Sequence, residues 1–137
     1  MSHSLSLRVY YEDTDLAGIV YYANYLKFIE RGRSEWVRGL GLDQTELRAG
    51  EGLVFAVRRI EADYLRPARF DDMLEVTTAP EGLTPARITL LQQVTRGAEL
   101  LFSARVTLVC LGPGDRPRRL PEALRRRMAT LAQKTAQ

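Results

Sequence analysis

Three carboxylates lie close together near the start of the chain, at Glu12, Asp13 and Asp15. In an extended turn, residues two apart point the same way, so Asp13 and Asp15 share one side and Glu12 faces the other. Such a pair is a candidate site for Mg²⁺ or Ca²⁺, although an oxygen site usually needs more ligands and the EF-hand spacing is absent. Alternatively, the aspartates bond N–H groups of the turn or cap the following helix.

A third interpretation is catalytic, because the turn leads directly into a helix. Gly18 allows a bend after Asp15, and the helix N-terminus near Tyr22 offers unpaired N–H groups and a dipole that favours negative charge. A carbonyl placed there would develop its oxyanion against these donors. The Asp15 carboxylate, on the other side, could attack that carbonyl or take a proton from water. The turn therefore predicts a minimal acyl-transfer site.

The remaining inventory excludes several other chemistries. The only histidine is His3, which we expect in a frayed tail, so neither a Ser-His-Asp nor a Cys-His arrangement is available within one subunit. No dinucleotide fingerprint, Walker loop or nucleophile-elbow serine occurs, and the Cys and His counts exclude metal sites built from them. Cys110 lies in an alternating strand pattern, which is typical of a small buried hydrophobe. A carboxylate remains as the reactive group.

The elements around the turn follow from hydrophobic periodicity. Leu5, Leu7, Val9 and Tyr11 alternate with polar residues and predict a half-buried strand. After the turn, a long amphipathic helix is predicted, ended by Gly39 and Gly41. Its apolar stripe contains Tyr21, Tyr25, Phe28, Ile29, Gly32 and Trp36. Because a mid-helix Gly is unfavourable by about 1 kcal/mol relative to Ala, we interpret Gly32 as a point where the helix meets a sheet with no room for a Cβ.

The rest of the chain predicts an antiparallel sheet and two more helices. A capping box at 43–46 opens a short helix ended by Gly50. Segments at about 53–65, 72–79, 85–96 and 99–111 have strand periodicity, and their short connections, including a turn at 80–82, require antiparallel pairing. Pro121 opens a final helix with an apolar stripe of Leu124, Met128 and Leu131. We predict a single α+β domain over residues 1–137.

Composition limits the partners. The net charge is +3, and arginines cluster at 58–59, 116–119 and 125–127, which suits phosphate-bearing partners or an ordinary solvated surface. There is no aromatic stacking platform or binding motif for nucleic acid. No apolar run is long enough for membrane insertion or a signal peptide, so a cytoplasmic location is predicted. One long helix can cover only one of the two faces of a single sheet, while the strands carry apolar side chains along much of their length. An exposed apolar face or edge predicts association, so we expect at least a homodimer.

Several segments together resemble a known family. They are Val9–Asp15, Gly18–Tyr25, Phe28–Arg33, Phe55–Arg59, Tyr64–Asp72 and Leu120-Pro121. The sequence resembles the 4-hydroxybenzoyl-CoA thioesterase family of hotdog-fold proteins, and within it the branch associated with the Tol-Pal envelope system. The resemblance implies a long central helix wrapped by a curved antiparallel sheet of about five strands, with a C-terminal helix. It also implies dimers joined edge to edge, often paired into tetramers.

The resemblance implies hydrolysis of acyl-CoA without a metal or cofactor, and an acyl-carrier protein is a second possible partner. The catalytic carboxylate falls on Asp15, the N–H that polarises the thioester carbonyl falls on Tyr22, and Asp13 becomes a turn residue. The predicted substrate-binding residues are Gly18, Ile19 and Val57, with Arg58 and Arg59 for the CoA phosphates. Several relatives carry a histidine at the Tyr22 position. A non-catalytic acyl-CoA or acyl-carrier-protein binding module is the alternative function.

Overall fold

The computed structural model describes residues 3–136, with side chains described as far as residue 130. The strands are β1 (His3–Arg8), β2 (Val54–Tyr64), β3 (Met73–Leu83), β4 (Arg87–Arg96), β5 (Glu99–Gly112) and β6 (Arg116–Arg118). The helices are α1 (Asn24–Gly39), α2 (Gln44–Glu51) and α3 (Glu122–Ala136). These elements form the α+β hotdog architecture that the motifs implied.

The strands form an open, curved antiparallel sheet in the order β1-β3-β4-β5-β2. Helix α1 lies mainly against β3, with contacts to β1 and β4. We expected about five strands, and the sixth, β6, is a short strand that pairs with the end of β5 at Cys110–Gly112. The pairing of β4 with β5 stops just before it, at Val109. Strand β2 therefore lies at an edge, with β5 as its partner within the described chain.

The apolar stripe of α1 forms the centre of the core. Tyr25, Phe28, Ile29, Gly32 and Trp36 are buried as predicted, and a Cβ at Gly32 would lie 2.8 Å from the Val76 side chain of β3. The predicted close approach of helix and sheet is confirmed. Tyr21 was wrongly assigned to the stripe, because α1 begins only at Asn24 and the Tyr21 side chain is exposed.

A buried polar cluster lies where Gly32 meets the sheet. The Gln92 side-chain amide donates to the Ile29 carbonyl and to the Thr78 hydroxyl, each at 2.8 Å. Its carbonyl oxygen accepts a 3.0 Å hydrogen bond from Arg33. Burial lowers the pKa of the Arg33 guanidinium. Because an unpaired buried amide would be costly, this cluster fixes one position of the helix on the sheet.

Several predicted boundaries were wrong. Strand β1 ends at Arg8, and Tyr11 is exposed in a short 3₁₀ turn. His3 is not in a frayed tail but begins β1, opposite Thr78. Helix α2 continues past Gly50 and is capped by Gly52 at φ +68°. The predicted turn at 80–82 lies inside β3, at an irregularity in its pairing with β4.

The outward face of the sheet is more polar than expected. Its half-buried polar residues are Glu75, Thr77, Thr89, Gln93, Ser103 and Thr107, beside the apolar Ala79, Leu91 and Val109. Among the strands, β2 carries three exposed large apolar side chains, Val54, Val57 and Tyr64, and β3 carries one, Met73. Cys110 is buried as predicted, and burial raises the pKa of its thiol.

Helix α3 packs against β3 and adds Leu124 and Met128 to the core, as the sequence predicted. The side chain of Leu131, the third residue of the predicted stripe, lies outside the described residues. No helix among the described residues has the length and apolar character needed to cross a membrane.

Candidate active site

The carboxylate turn is a small hairpin-like loop. Thr14 and Val20 form an antiparallel bridge, and the Asp15 N–H donates to the Ile19 carbonyl at 2.9 Å. The Gly18 N–H donates to the Asp15 carbonyl at 3.0 Å, and Gly18 has φ +78°, a conformation that glycine adopts without steric penalty. Gly18 thus provides the predicted bend, and Asp15 lies opposite Ile19 across the pair.

The two aspartates have different environments. The Asp13 carboxylate accepts the Tyr10 N–H at 2.8 Å, so Asp13 is the turn residue that the motifs implied. One oxygen of the exposed Asp15 carboxylate accepts the Ala17 N–H at 2.9 Å. The other oxygen has no hydrogen-bond partner within residues 3–136 and stays available to a ligand. No group of three potential metal ligands was found among the described residues.

Helix α1 is joined to this loop at its first turn. The Asp13 carbonyl accepts both the Tyr21 N–H and the Asn24 side-chain amide, each at 2.9 Å. The first helical bonds are donated by Asn24 and Tyr25, to the carbonyls of Tyr21 and Tyr22. Two N–H groups, those of Tyr22 and Ala23, find no acceptor in the described part of the chain. They are the free donors that a helix N-terminus presents to an anion.

An apolar cavity of about 310 Å³ lies at this point of the fold, and Tyr22 is one of the residues that line it. Its lining is formed by Ile19, Val20, Tyr22, Tyr25, Tyr64, Leu65, Arg66 and Pro67. Arg66 is the only charged residue of this lining, so the cavity suits an uncharged hydrocarbon or aromatic group.

Two tyrosines of the cavity lining, Tyr25 and Tyr64, pack against the buried ring of Phe102. Tyr25 stacks on Phe102 with ring centroids 5.1 Å apart, and Tyr64 packs edge-on against both rings. The Tyr64 hydroxyl donates to the Tyr22 carbonyl at 3.1 Å. Burial raises the pKa of the Tyr25 and Tyr64 hydroxyls, so both stay protonated at neutral pH.

The segment after β2 is fixed to the rest of the fold. The buried Ala68 N–H donates to the Tyr25 hydroxyl at 3.0 Å, and the Ala68 carbonyl accepts the Val20 N–H at 2.8 Å. Further along, Arg96 and Asp72 form an ion pair at 2.7 Å. Burial alone would raise the pKa of Asp72, but hydrogen bonds from the Arg69 N–H and from Arg96 outweigh it and lower the pKa.

The predicted site residues fall into two groups. Ile19 and Tyr22 line the cavity, with Gly18 and Asp15 in the adjoining loop. Val57 lines a separate pocket of about 140 Å³ on the other half of α1. Along β2, Val57 and Tyr64 are separated by about 23 Å at 3.3 Å per residue. Within one chain, the structure therefore does not bring Val57 to the Asp15 loop.

The two arginines are exposed next to Val57. Arg58 lies at an irregularity in the pairing of β2 with β5, and Arg59 forms a 3.3 Å ion pair with Glu61. Their assignment to CoA phosphates stays a prediction.

Sequence reasoning missed part of the cavity. Tyr25 was assigned to the helix stripe. Tyr64, Leu65, Arg66 and Pro67 entered only as part of a family segment and the end of a predicted strand, not as site residues. The available signal was the Arg66-Pro67 break directly after β2, because an interrupted strand end leaves space beside a sheet.

Comparison with known proteins identifies the family of this chain. A family profile described as the thioesterase-like superfamily matches residues 9–128. The chain is 50% identical over 72 residues to the acyl-CoA thioester hydrolase YbgC of Escherichia coli O157:H7, covering 53% of each protein. It is 47% identical over 75 residues to the acyl-CoA thioesterase YbgC of Haemophilus influenzae, covering 55% of each.

A solved structure extends the similarity over most of the chain. The probable thioesterase from Bartonella henselae superimposes with a TM-score of 0.85 at 40% sequence identity, covering 88% of this chain and 100% of that one. The chain spans about half the length of the curated relatives it matches. The profile match alone covers most of the sequence, and the chain belongs to the thioesterase-like superfamily.

Proposed function

We propose that this protein is an enzyme that hydrolyses acyl-CoA thioesters to a free acid and CoA. The single observation that carries the proposal is the unpaired Tyr22 N–H at the edge of an apolar cavity, beside the Asp15 loop. A thioester has the two parts that such a site requires: an apolar acyl group for the cavity and a carbonyl oxygen that gains negative charge during reaction. The similarity to proteins named acyl-CoA thioester hydrolases supports the same activity.

In the proposed reaction, the carbonyl oxygen accepts the Tyr22 N–H while the acyl group occupies the cavity. By one route, an Asp15 carboxylate oxygen attacks the carbonyl carbon, the C–S bond breaks and CoA leaves as its thiolate. Water then hydrolyses the mixed anhydride and regenerates Asp15. By the other route, Asp15 takes a proton from water, the water oxygen attacks the carbonyl, and the C–S bond breaks without an acyl-enzyme. Both routes give the same products.

In the proposed enzyme, two copies of the chain form a homodimer by pairing their β2 edge strands. An edge strand presents unpaired N–H and C=O groups, and β2 also carries exposed Val54 and Val57. If the two β2 strands pair antiparallel around a two-fold axis, the first half of one strand lies beside the second half of the other. Val57, Arg58 and Arg59 of one subunit would then approach the Asp15 loop of the other, where the arginines would meet the CoA phosphates. Pairing of dimers into tetramers, a cytoplasmic location and a Tol-Pal association stay predictions from the sequence.

The side chain at position 22 gives this site its own character. The backbone donor is independent of the side chain, so Tyr22 in place of a histidine leaves the proposed oxyanion contact unchanged. The Tyr22 ring lies 4.9 Å from that of Tyr21, and a hydrogen bond with the Tyr22 side chain raises the pKa of the Tyr21 hydroxyl. Where relatives would use the histidine side chain at this position to orient water, the Tyr22 hydroxyl takes that role in the proposed site.

The decisive experiment compares Asp15→Asn with Glu12→Gln. Both variants replace an exposed acid of the same turn by its amide, but only Asp15 has a proposed chemical role. With CoA thiol release from acetyl-, hexanoyl-, decanoyl- and benzoyl-CoA as the readout, we expect Asp15→Asn to lose at least 10²–10³-fold in rate. Glu12→Gln should keep the unmodified rate. A folded Asp15→Asn variant with near-normal turnover would contradict the assignment.

A binding module for acyl-CoA or acyl-carrier protein is the second candidate function. One observation favours it: Asp15 already bonds the Ala17 N–H and does not line the cavity. Calorimetric binding of the same acyl-CoA panel without thiol release would select this function over hydrolysis.

A further inference from the structure

The Tyr64 hydroxyl donates to the carbonyl of Tyr22 at 3.1 Å. That carbonyl belongs to the same peptide unit as the Ala23 N–H, which has no acceptor among residues 3–136. We infer that the oxyanion is received by two consecutive N–H groups, those of Tyr22 and Ala23, and that Tyr64 is the positioning residue for the second. This inference rests on the proposed function and adds to it a second donor and the side chain that orients it.

Tyr64 is a residue whose ring and hydroxyl have separate partners. Its ring packs edge-on against Phe102 and Tyr25, with centroids 5.0 and 5.5 Å away. These contacts hold the ring at the wall of the cavity, while the hydroxyl extends to the first turn of α1. The tyrosine therefore spans from the last residue of β2 to the peptide unit that precedes the helix.

Hydrogen bonding at one end of a peptide unit affects the other end. The unit is planar, so fixing its carbonyl also fixes the direction of its N–H. A donor at the carbonyl polarises the unit and strengthens its N–H as a donor in turn. The Tyr22 carbonyl also accepts the Tyr25 N–H at a longer 3.3 Å. Tyr64 thus supplies the shorter of two bonds that direct the Ala23 N–H.

The protonation state of Tyr64 fits this role. Burial and the neighbouring Tyr22 raise the pKa of the Tyr64 hydroxyl above its ordinary value. The hydroxyl therefore stays a donor at neutral pH, and the contact with the Tyr22 carbonyl does not depend on pH near neutrality.

The test is Tyr64→Phe in the full-length chain, which keeps the ring contacts and removes the hydroxyl. Tyr11→Phe is the matched control, because Tyr11 is an exposed tyrosine that packs on Phe70 outside the cavity. With hexanoyl-CoA and benzoyl-CoA, we expect kcat of Tyr64→Phe to fall about 10- to 100-fold with KM within about twofold, less than the loss of a whole oxyanion donor. Tyr11→Phe should retain both constants.

A second readout does not depend on turnover. In a ¹H–¹⁵N spectrum, the Ala23 amide proton of Tyr64→Phe should shift upfield, because its peptide unit is less polarised. The Gly18 amide serves as the reference, since its hydrogen bond to Asp15 is unaffected.

The outcomes separate the two proposals. Loss of turnover in Asp15→Asn with unchanged kcat in Tyr64→Phe would overturn the positioning role and leave the proposed hydrolysis intact. A rise in KM alone would also overturn it, because it would mark Tyr64 as a substrate contact. An unmodified chain that releases no thiol would overturn the hydrolysis, while an unshifted Ala23 amide would overturn the polarisation.

Discussion

The Tyr25 hydroxyl accepts a hydrogen bond from the buried Ala68 N–H at 3.0 Å, joining helix α1 to the segment that follows β2. Ala68 is fully buried, so no water can replace this acceptor. The same segment provides Leu65, Arg66 and Pro67 to the cavity wall. One side-chain hydroxyl thus connects the start of the central helix with the shape of the candidate site.

Tyr25→Phe should lower the free energy of unfolding by about 1–3 kcal/mol, because it leaves a buried N–H without an acceptor. Urea denaturation followed by circular dichroism measures this change. Tyr64→Phe is the comparison: its acceptor, the Tyr22 carbonyl, keeps the Tyr25 N–H as a donor, so we expect a loss below about 1 kcal/mol. Equal losses in the two variants would contradict the distinction between a structural and a positioning hydroxyl.

Gly32→Ala should destabilise the protein although Ala is the better helix former. The added Cβ would lie 2.8 Å from Val76 and 3.1 Å from Thr78. Overpacking of this kind costs about 1–3 kcal/mol, against a gain of about 1 kcal/mol in helix propensity. Gly39→Ala, in the last turn of the same helix with no atom within 4 Å of its added Cβ, should be neutral or stabilising. Thermal unfolding of both variants tests the close approach, which a stabilised Gly32→Ala would refute.

Residues that act locally were the predictable part of the structure. Glycine is unfavourable in the middle of a helix, so Gly32 indicated from the sequence alone that another surface packs closely against α1 at that point. Asp43 likewise predicted the start of α2 as its N-cap residue, and its carboxylate accepts the Thr45 N–H at 2.8 Å. In the turn, the spacing of Asp13 and Asp15 identified the loop, and the family motifs separated the turn residue from the candidate catalytic one.

Residues whose partners are distant in sequence were not predictable. Tyr64 bonds a carbonyl 42 positions earlier, and no local pattern encodes that pairing. Pro80 was read as part of a turn because proline lacks the N–H that a strand requires. It lies in β3 beyond Thr78, the last β3 residue that pairs with the described part of β1, so no described residue on that side requires its missing donor.

The ion pair between Arg96 and Asp72 should make stability depend on pH in the acid range. The pKa of Asp72 is lower in the folded than in the unfolded chain, so the unfolded chain binds more protons as pH falls. The contribution is complete above the unfolded pKa of about 3.9 and is lost as pH decreases through the lower folded value. In Asp72→Asn, the free energy of unfolding should therefore vary less steeply with pH below about pH 4.

Part of this acid dependence will persist in Asp72→Asn. Hydroxyls of Ser4 and Ser6 hydrogen-bond the Glu75 carboxylate and lower its pKa, so Glu75 contributes with the same sign. Urea titrations at several pH values measure the slope for each variant. An identical slope in Asp72→Asn and the unmodified chain would show that the ion pair between Arg96 and Asp72 does not contribute to the pH dependence of stability.

Val57→Lys should convert the proposed dimer to a monomer. Val57 is 43% exposed on edge strand β2, and a lysine there would place like charges near each other across a two-fold axis while removing apolar contact area. Met73→Lys is the matched control, because Met73 is 48% exposed but lies on β3, which has partners on both sides. Light scattering coupled to size exclusion should show halved mass for Val57→Lys relative to a dimer. Turnover should fall with it, since Arg58 and Arg59 of the second subunit are lost from the proposed site. A monomeric Val57→Lys with full activity would place the entire site within one chain and refute a shared channel.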